Sequence, residues 1–108
     1  MIPTAAINRR QKLEAMLAAS PNDQMLRYML AMELDKESDH ERSLELFRTL
    51  MSDAPPYVPA FLMAGQLSAR MERTDEARAT YQAGIIEAKN QNNEHAAGEM
   101  AGFLQALV

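Results

Sequence analysis

The sequence predicts an all-α fold, an antiparallel helix–turn–helix solenoid of about six helices. Apolar residues recur at helical spacing between short breaks, and the alternation typical of β-strands is not found. Residues 30–50 also resemble residues 64–84 at a separation of 34 residues, with small residues opposite small ones and Phe47 opposite Tyr81. A repeat of this length is typical of stacked helical units, each of which covers the apolar face of the next.

The composition fits one soluble domain with no disulfide or thiolate metal site. The chain has 108 residues, no cysteine and a net charge of −4 from 11 basic and 15 acidic residues. Charges of both signs are interspersed, and the densest basic run is residues 8–12, so a nucleic-acid partner is disfavoured. Neither a membrane-spanning run nor a signal-peptide pattern is found. We therefore expect a cytoplasmic protein that does not bind membranes.

Local signals divide the chain into its helices. The proline-rich stretch 52–59 cannot continue a helix, whereas Pro59 suits the first turn of the next one. Ser38 is predicted to begin a capping box and Thr74 to cap another helix through its hydroxyl group. Short connections make successive helices antiparallel neighbours. The predicted helices span residues 5–19, 22–36, 39–52, 58–71, 74–89 and 92–107.

The two copies share a set of small and aromatic positions. In the second copy these residues are Phe61, Ala64, Gly65, Ser68, Ala77, Tyr81 and Gly84, with Lys89 at the position of Pro55. In the first copy they are Arg27, Leu30, Ala31, Leu34, Ser43, Phe47, Leu50 and Pro55. The pattern resembles the tetratricopeptide repeat, although tryptophan is missing, no glycine stands at the inter-helix turns and Arg27 replaces a bulky apolar residue.

The resemblance implies a single domain over residues 1–108. Its repeats would be 22–55 and 56–89. The helix at 5–19 would correspond to the second half of a preceding repeat, and 92–107 would be a C-terminal capping helix or the first half of a following repeat.

The resemblance also implies a protein-binding scaffold. In this family the first helix of each repeat lines a concave groove that holds a peptide or a helix of another protein. Basic and amide residues of this groove clamp acidic chaperone tails in one sub-class, but Tyr28, Met32 and Met63 stand at those places, so that function is rejected. The predicted groove residues are Met25, Tyr28, Met29, Met32, Leu62, Met63, Gln66 and Arg70.

The methionines leave two interpretations open. The chain has nine, and unbranched, polarisable side chains suit adaptable binding surfaces. Residues 25–34 are apolar nearly all round, so part of this helix should face the groove. Alternatively, individual methionines only fill gaps between helices.

The last helix suggests an alternative function, self-association of a structural protein. Its apolar residues have few polar residues opposite them, whereas solenoid ends normally carry a polar face. This helix either caps the last repeat or pairs with a second copy in a homo-oligomer. The candidate residues are Met100, Phe103, Leu104 and Leu107, together with Val108.

Catalytic and metal-binding patterns are not found in the sequence. His40 and His95 are the only histidines, and their spacing does not match a zinc motif. Nor does the chain contain a nucleophile elbow, a phosphate-binding glycine loop or a paired-carboxylate motif. The sequence therefore predicts no enzyme activity, no cofactor and no metal.

Overall fold

The chain forms a stack of α-helices in which each helix packs mainly on its sequence neighbours. A computed structural model describes residues 8–107. The last helix also contacts the fourth, and the Cα atoms extend over 52 × 28 × 19 Å. The helices are α1 (Arg9–Ala19), α2 (Gln24–Lys36), α3 (His40–Met51), α4 (Val58–Arg70), α5 (Thr74–Asn90) and α6 (Glu94–Ala106).

The predicted all-α solenoid is confirmed, and most helix ends lie within two residues of their predicted positions. The exception is α1, whose predicted residues 5–7 lie outside the described part of the chain, as does Val108. Asn8 is the N-cap of α1: its side chain accepts from the Gln11 N–H at 2.8 Å, and the Gln11 side chain accepts from the Asn8 N–H at 3.1 Å. This reciprocal pair is a capping box that sequence analysis missed.

The prediction that Ser38 caps α3 is wrong. Ser38 has a φ of 67°, and the N-cap of α3 is Asp39, which makes no side-chain cap bond. The Ser38 N–H donates to the Asp35 carbonyl at 3.0 Å, and the Asp39 N–H donates to the Leu34 carbonyl at 2.8 Å. Ser38 is therefore the left-handed residue that closes α2, and its conformation is fixed by main-chain bonds.

The predicted hydroxyl cap at Thr74 is wrong for the same reason. Glu72, with a φ of 61°, closes α4 in the same way, and the Arg73 N–H donates to the Ser68 carbonyl at 2.8 Å. Arg73 thus becomes the N-cap of α5, and Thr74 is its first helical residue. Asn92, with a φ of 60°, closes α5 by a similar turn.

Small residues allow the helices to cross at short distances. The buried Ser43 hydroxyl on α3 donates to the Ala31 carbonyl of α2 at 2.6 Å. On α5, a Cβ added to Gly84 would lie 2.5 Å from Met100 Sδ and 2.6 Å from Phe61 Cβ. Gly84 is therefore packed between α4 and α6.

Arg27 replaces the usual apolar residue, and Asp53 pairs its charge, although its buried Nε makes no hydrogen bond to the described residues. Its Nη1 donates to Asp53 Oδ1 at 3.2 Å, its Nη2 contacts Asp53 Oδ2, and Nη2 also donates to the Asn22 carbonyl at 3.2 Å. Gln24 Nε2 donates to Asp53 Oδ2 at 3.0 Å. Hydrogen bonds from Arg27 and Gln24 hold the pKa of Asp53 below its usual value. This network joins α2 to the loop between α3 and α4.

Candidate protein-binding surface

The structure divides the predicted groove residues among separate hollows. Tyr28, Met29 and Met32 line a cleft of about 440 Å³ at α1 and α2. Met25 lines a different hollow of about 730 Å³, beside the loop between α3 and α4. Gln66 and Arg70 belong to a third hollow of about 360 Å³.

Several predicted groove residues pack largely within the chain. The Tyr28 ring lies 6.0 Å from that of Phe47 and 5.4 Å from that of Tyr57. Met63 is half-buried against the core around α3, and Leu62 is half-buried against the core around α5. A charged substitution at Met63 would therefore disturb the core as well as the surface.

Met25 and Met32 are the predicted groove methionines that remain exposed. Met25 is 62% exposed and Met32 is 38% exposed. Met29 is half-buried against the core shared by α1 and α2. Only Met32 therefore offers an accessible thioether within the cleft at α1 and α2.

Arg70 is bound to another residue of the chain. Its Nη2 lies 2.6 Å from Asp35 Oδ2, which links α4 to α2. Asp35 Oδ1 also lies 2.9 Å from His40 Nδ1. The Asp35 side chain is 16% exposed and that of Arg70 is 54% exposed. Asp35 thus balances much of the positive charge of Arg70 at the edge of the predicted groove.

The third hollow, the α4–α6 pocket, contains residues that sequence analysis did not assign to the groove. The rings of Tyr81 and Phe103 stack with centroids 6.1 Å apart and planes inclined by 15°. Burial raises the pKa of Tyr81, so its phenol is neutral at physiological pH. Phe103 remains 41% exposed. The lining residues are Gln66, Ala69, Arg70, Tyr81, Phe103, Ala106 and Leu107.

The four residues predicted for self-association have different environments. Met100 is fully buried, so it cannot contact a second chain, and that part of the prediction is wrong. Its side chain is buried because it fills the space that Gly84 leaves beside Phe61. Leu104 and Leu107 are half-buried against the α5 core, and only Phe103 is exposed.

The position of α6 relative to the 34-residue period explains why the buried Met100 was assigned to an interface. A strict period of 34 residues places Glu99 opposite Gly65. However, α4 begins at Val58 and α6 at Glu94, so the helix starts are separated by 36 residues. On that spacing Ala101 corresponds to Gly65. α5 has 17 residues where α3 has 12, but the loop after α5 is three residues shorter than the loop after α3, which leaves a shift of two residues.

Residues 8–107 contain neither a metal-binding cluster nor a membrane-spanning helix. Within that range no three His, Asp or Glu side chains are grouped so that they could hold a metal ion. No helix in the same range combines the length and apolarity required to cross a membrane.

The fold and its exposed surfaces define a helical-repeat protein, and comparison with solved structures identifies the family. A tetratricopeptide repeat domain protein from Salinibacter ruber is 34% identical over 80% of this chain and 87% of that chain, with a TM-score of 0.75. A protein from Bordetella parapertussis is 22% identical over 92% of this chain and 86% of that one, with a TM-score of 0.77, and shows the fold alone. No family model matches the sequence, and no curated protein matches it. The chain belongs to the tetratricopeptide repeat family.

Membership of this family defines a broad class of function. The tetratricopeptide repeat fold generally mediates protein–protein interaction. Its domains are typically scaffolds without catalytic activity.

Proposed function

We propose that this chain binds a peptide or helix of another protein on the face formed by α2, α4 and α6. The α4–α6 pocket would hold one apolar side chain of that protein. The observation that carries the proposal is the 41% exposure of Phe103 beside this open pocket. Aromatic side chains at the edge of an apolar hollow are typical anchor points of protein interfaces.

The α4–α6 pocket is small and is lined mainly by apolar residues. Its volume of about 360 Å³ lies near the lower end of the range for small-molecule sites, about 300–1,000 Å³. Tyr81, Phe103 and Leu107 supply apolar walls, which favour an aliphatic or aromatic residue. Burial of such a side chain would contribute about 1.5–3 kcal/mol to binding before ordering costs.

Polar groups at the pocket suit the main chain of a bound peptide. Gln66 lines the pocket, and its amide makes no hydrogen bond to the residues that the structure describes. An amide can both donate to and accept from a peptide group. Arg70 lies beside it and remains 54% exposed despite its bond to Asp35. These two residues would fix the direction of the bound segment.

The cleft at α1 and α2 would extend the binding face. Met32 is exposed there, and Tyr28 and Met29 provide adjoining apolar surface. A second apolar residue of the bound segment would contact Met32. Met25 lies at the other hollow and is not part of this face as we propose it.

A peptide-display experiment tests this proposal. Randomised peptides would be selected on the wild-type chain, and the dissociation constant of each selected peptide measured by calorimetry. Phe103→Glu should weaken binding by about tenfold or more, because it places a charge where an apolar side chain docks. Ile86→Glu is the matched control, since Ile86 is 63% exposed on α5 and is not among the residues lining the pocket.

The outcome is read from both variants together. Binding that survives Ile86→Glu but not Phe103→Glu supports the pocket, provided that helical circular dichroism is unchanged. Amide NMR shifts concentrated at Gln66, Ala69 and Phe103 would support it independently. If every selected peptide binds Phe103→Glu as tightly as the wild type, the proposed site is wrong.

A further inference from the structure

At each end of the described chain one helix, here called a half hairpin, has no hairpin partner. A helix in the first place of a hairpin is called a first-type helix, and one in the second place a second-type helix. The two complete hairpins are α2–α3 and α4–α5. α1 precedes α2 and therefore occupies the place of a second helix, whereas α6 follows α5 and occupies the place of a first helix. In a helical-repeat stack, two such halves are complementary.

Met16 shows which surface of α1 lacks a neighbour. It precedes Leu50 by 34 residues, and Leu50 precedes Gly84 by the same number. Leu50 is 0% exposed and Gly84 is buried, but Met16 is 54% exposed. The Cβ position of Gly84 faces Met100 on α6 and Phe61 on the first helix of its own hairpin, and beside α1 the place of α6 is already taken by α2. The neighbour that Met16 lacks among residues 8–107 is thus a first-type helix.

The outer surface of α6 lacks the opposite neighbour. Ala101 corresponds to Gly65, which is covered by Tyr81 from the second helix of its hairpin, yet Ala101 is exposed. Gly98 is also exposed, and no described atom lies within 4 Å of a Cβ added there. A second-type helix would cover both residues.

The charges of the two half hairpins are complementary. α1 carries Arg9, Arg10 and Lys12 against Glu14, a net charge of +2, and no acidic residue lies in its first turn. Arg9 is paired with Glu33 of α2, and Arg10 with Glu14 and with Glu37 beyond α2, so Lys12 is the cation of α1 that makes no ion pair with the described residues. α6 carries Glu94 and Glu99 without Lys or Arg, a net charge of −2 with His95 neutral, and no basic residue lies in its last turn.

The antiparallel arrangement of a hairpin would bring the first turn of α1 to the last turn of α6. It would place the basic first turn of α1 beside the carbonyl end of α6, where the helix dipole favours positive charge. Two copies of α6 would instead bring like charges together. The order of the helices, together with this match of helix ends, therefore favours α1 over α6 as the occupant of this face.

The geometry points to head-to-tail self-association, in which α1 of a second copy packs on α6 of the first and completes a third hairpin. By analogy with Gly84 and Phe61, Met16 would lie beside the first half of α6, near the exposed Gly98. The two contacting surfaces differ, so the contact is heterologous, and each added copy exposes the same surfaces again. Association would therefore continue past the dimer as concentration rises.

Two variants test the two surfaces separately. Met16→Glu adds a charge to α1 near the acidic half of α6, and Ala101→Arg adds a bulky cation to the surface that receives the basic helix. Both sites are exposed, so both variants should keep the wild-type helical circular dichroism and melting temperature. Mass would be measured by sedimentation velocity from about 10 µM to about 1 mM, a range suited to a weak helix–helix contact.

The wild-type mass should rise above 12.1 kDa with concentration, whereas each variant alone should stay at 12.1 kDa. An equimolar mixture of the two variants should form a dimer and stop there, because it retains one intact α1 and one intact α6. Met25→Glu, on an exposed residue outside both surfaces, should associate like the wild type.

Three results would overturn the inference. The wild type could remain at 12.1 kDa throughout the concentration range. Met16→Glu could still associate alone, as a symmetric α6–α6 dimer requires. The mixed variants could fail to form a dimer. None of these results bears on peptide binding in the α4–α6 pocket, so the two proposals can fail separately.

Discussion

Gly65 lies directly beneath the ring of Tyr81 where α4 crosses α5. A Cβ added to Gly65 would come within 2.7 Å of Tyr81 Cδ1 and Cζ. The ring has little room to move, because Tyr81 is 1% exposed and stacks on Phe103. The spacing of this glycine and this aromatic residue, visible in the sequence, therefore sets the distance between the two helices and holds one wall of the α4–α6 pocket.

Gly65→Ala should lower the free energy of unfolding by about 1–3 kcal/mol, since overpacking the crossing outweighs the better helix propensity of alanine. Urea denaturation measures the change. Gly102→Ala is the control, because no described atom lies within 4 Å of its added Cβ, and it should raise stability by about 0.5–1 kcal/mol. Equal stabilisation by both substitutions would show that the Tyr81 contact is not tight.

Replacement by alanine should change stability differently at two buried serines. Ser43 and Ser68 are both 0% exposed, but Ser43 donates to the Ala31 carbonyl, whereas the Ser68 hydroxyl has no hydrogen-bond partner among the described residues. Ser43→Ala should therefore cost about 1 kcal/mol, and Ser68→Ala should be neutral or stabilising. Thermal unfolding of the two variants provides the comparison. A similar loss in both would mean that the Ser68 hydroxyl does have a partner.

The ion pair between Arg27 and Asp53 should make stability depend on acid pH. The pKa of Asp53 is lowered in the folded chain, so its contribution is complete above its usual value of 3.8 and is lost as the pH falls through the folded value. Asp53→Asn should cost about 1.5–3 kcal/mol near neutral pH and progressively less below pH 3.8. Urea denaturation at several pH values would show this convergence.

Asp75→Asn is the matched control for that experiment. The Asp75 side chain is fully exposed, and its ion pair is with Arg78, three residues away on the same helix. Its replacement should change stability little at any pH, because exposed ion pairs contribute about 0–1 kcal/mol. If the Asp53 and Asp75 variants behave alike, the network around Arg27 is not stabilising.

The fold could be predicted from the sequence because its causes are local and repeated. Small residues at Gly65 and Ala31, aromatic residues at Phe47 and Tyr81, and the proline-rich break at 52–59 all indicate stacked hairpins. Side-chain patterns also predict the ends of most helices to within two residues.

The helix caps were mispredicted because main-chain bonds decide them. Ser38 and Glu72 have left-handed backbones set by the ends of α2 and α4. Neither residue type is typical of that conformation, so sequence alone favoured N-caps at Ser38 and Thr74.

The α4–α6 pocket could not be predicted because it depends on tertiary register. The greater length of α5 and the shorter loop after it together shift α6 by two residues from strict periodicity. Phe103 and Leu107 then lie beside Gln66 and Arg70, although their helical spacing alone suggested an interface with another chain. Likewise, the sequence separation of Asp35 and Arg70 gave no sign that they form an ion pair.

That ion pair predicts a change in the peptides the protein selects. Asp35→Asn removes the carboxylate that balances Arg70, leaving the guanidinium available beside the pocket. Peptides with an acidic residue next to their apolar anchor should bind this variant about 2- to 5-fold more tightly, as expected for one exposed ion pair. Matched peptides with glutamine at that position should show no gain, and added salt should reduce the gain for acidic peptides.

Calorimetry on both peptide series, repeated with the double variant Asp35→Asn, Arg70→Gln, isolates the effect. A gain that persists in the double variant would assign it to a cation other than Arg70, and the predicted role of the Asp35–Arg70 pair would then be incorrect.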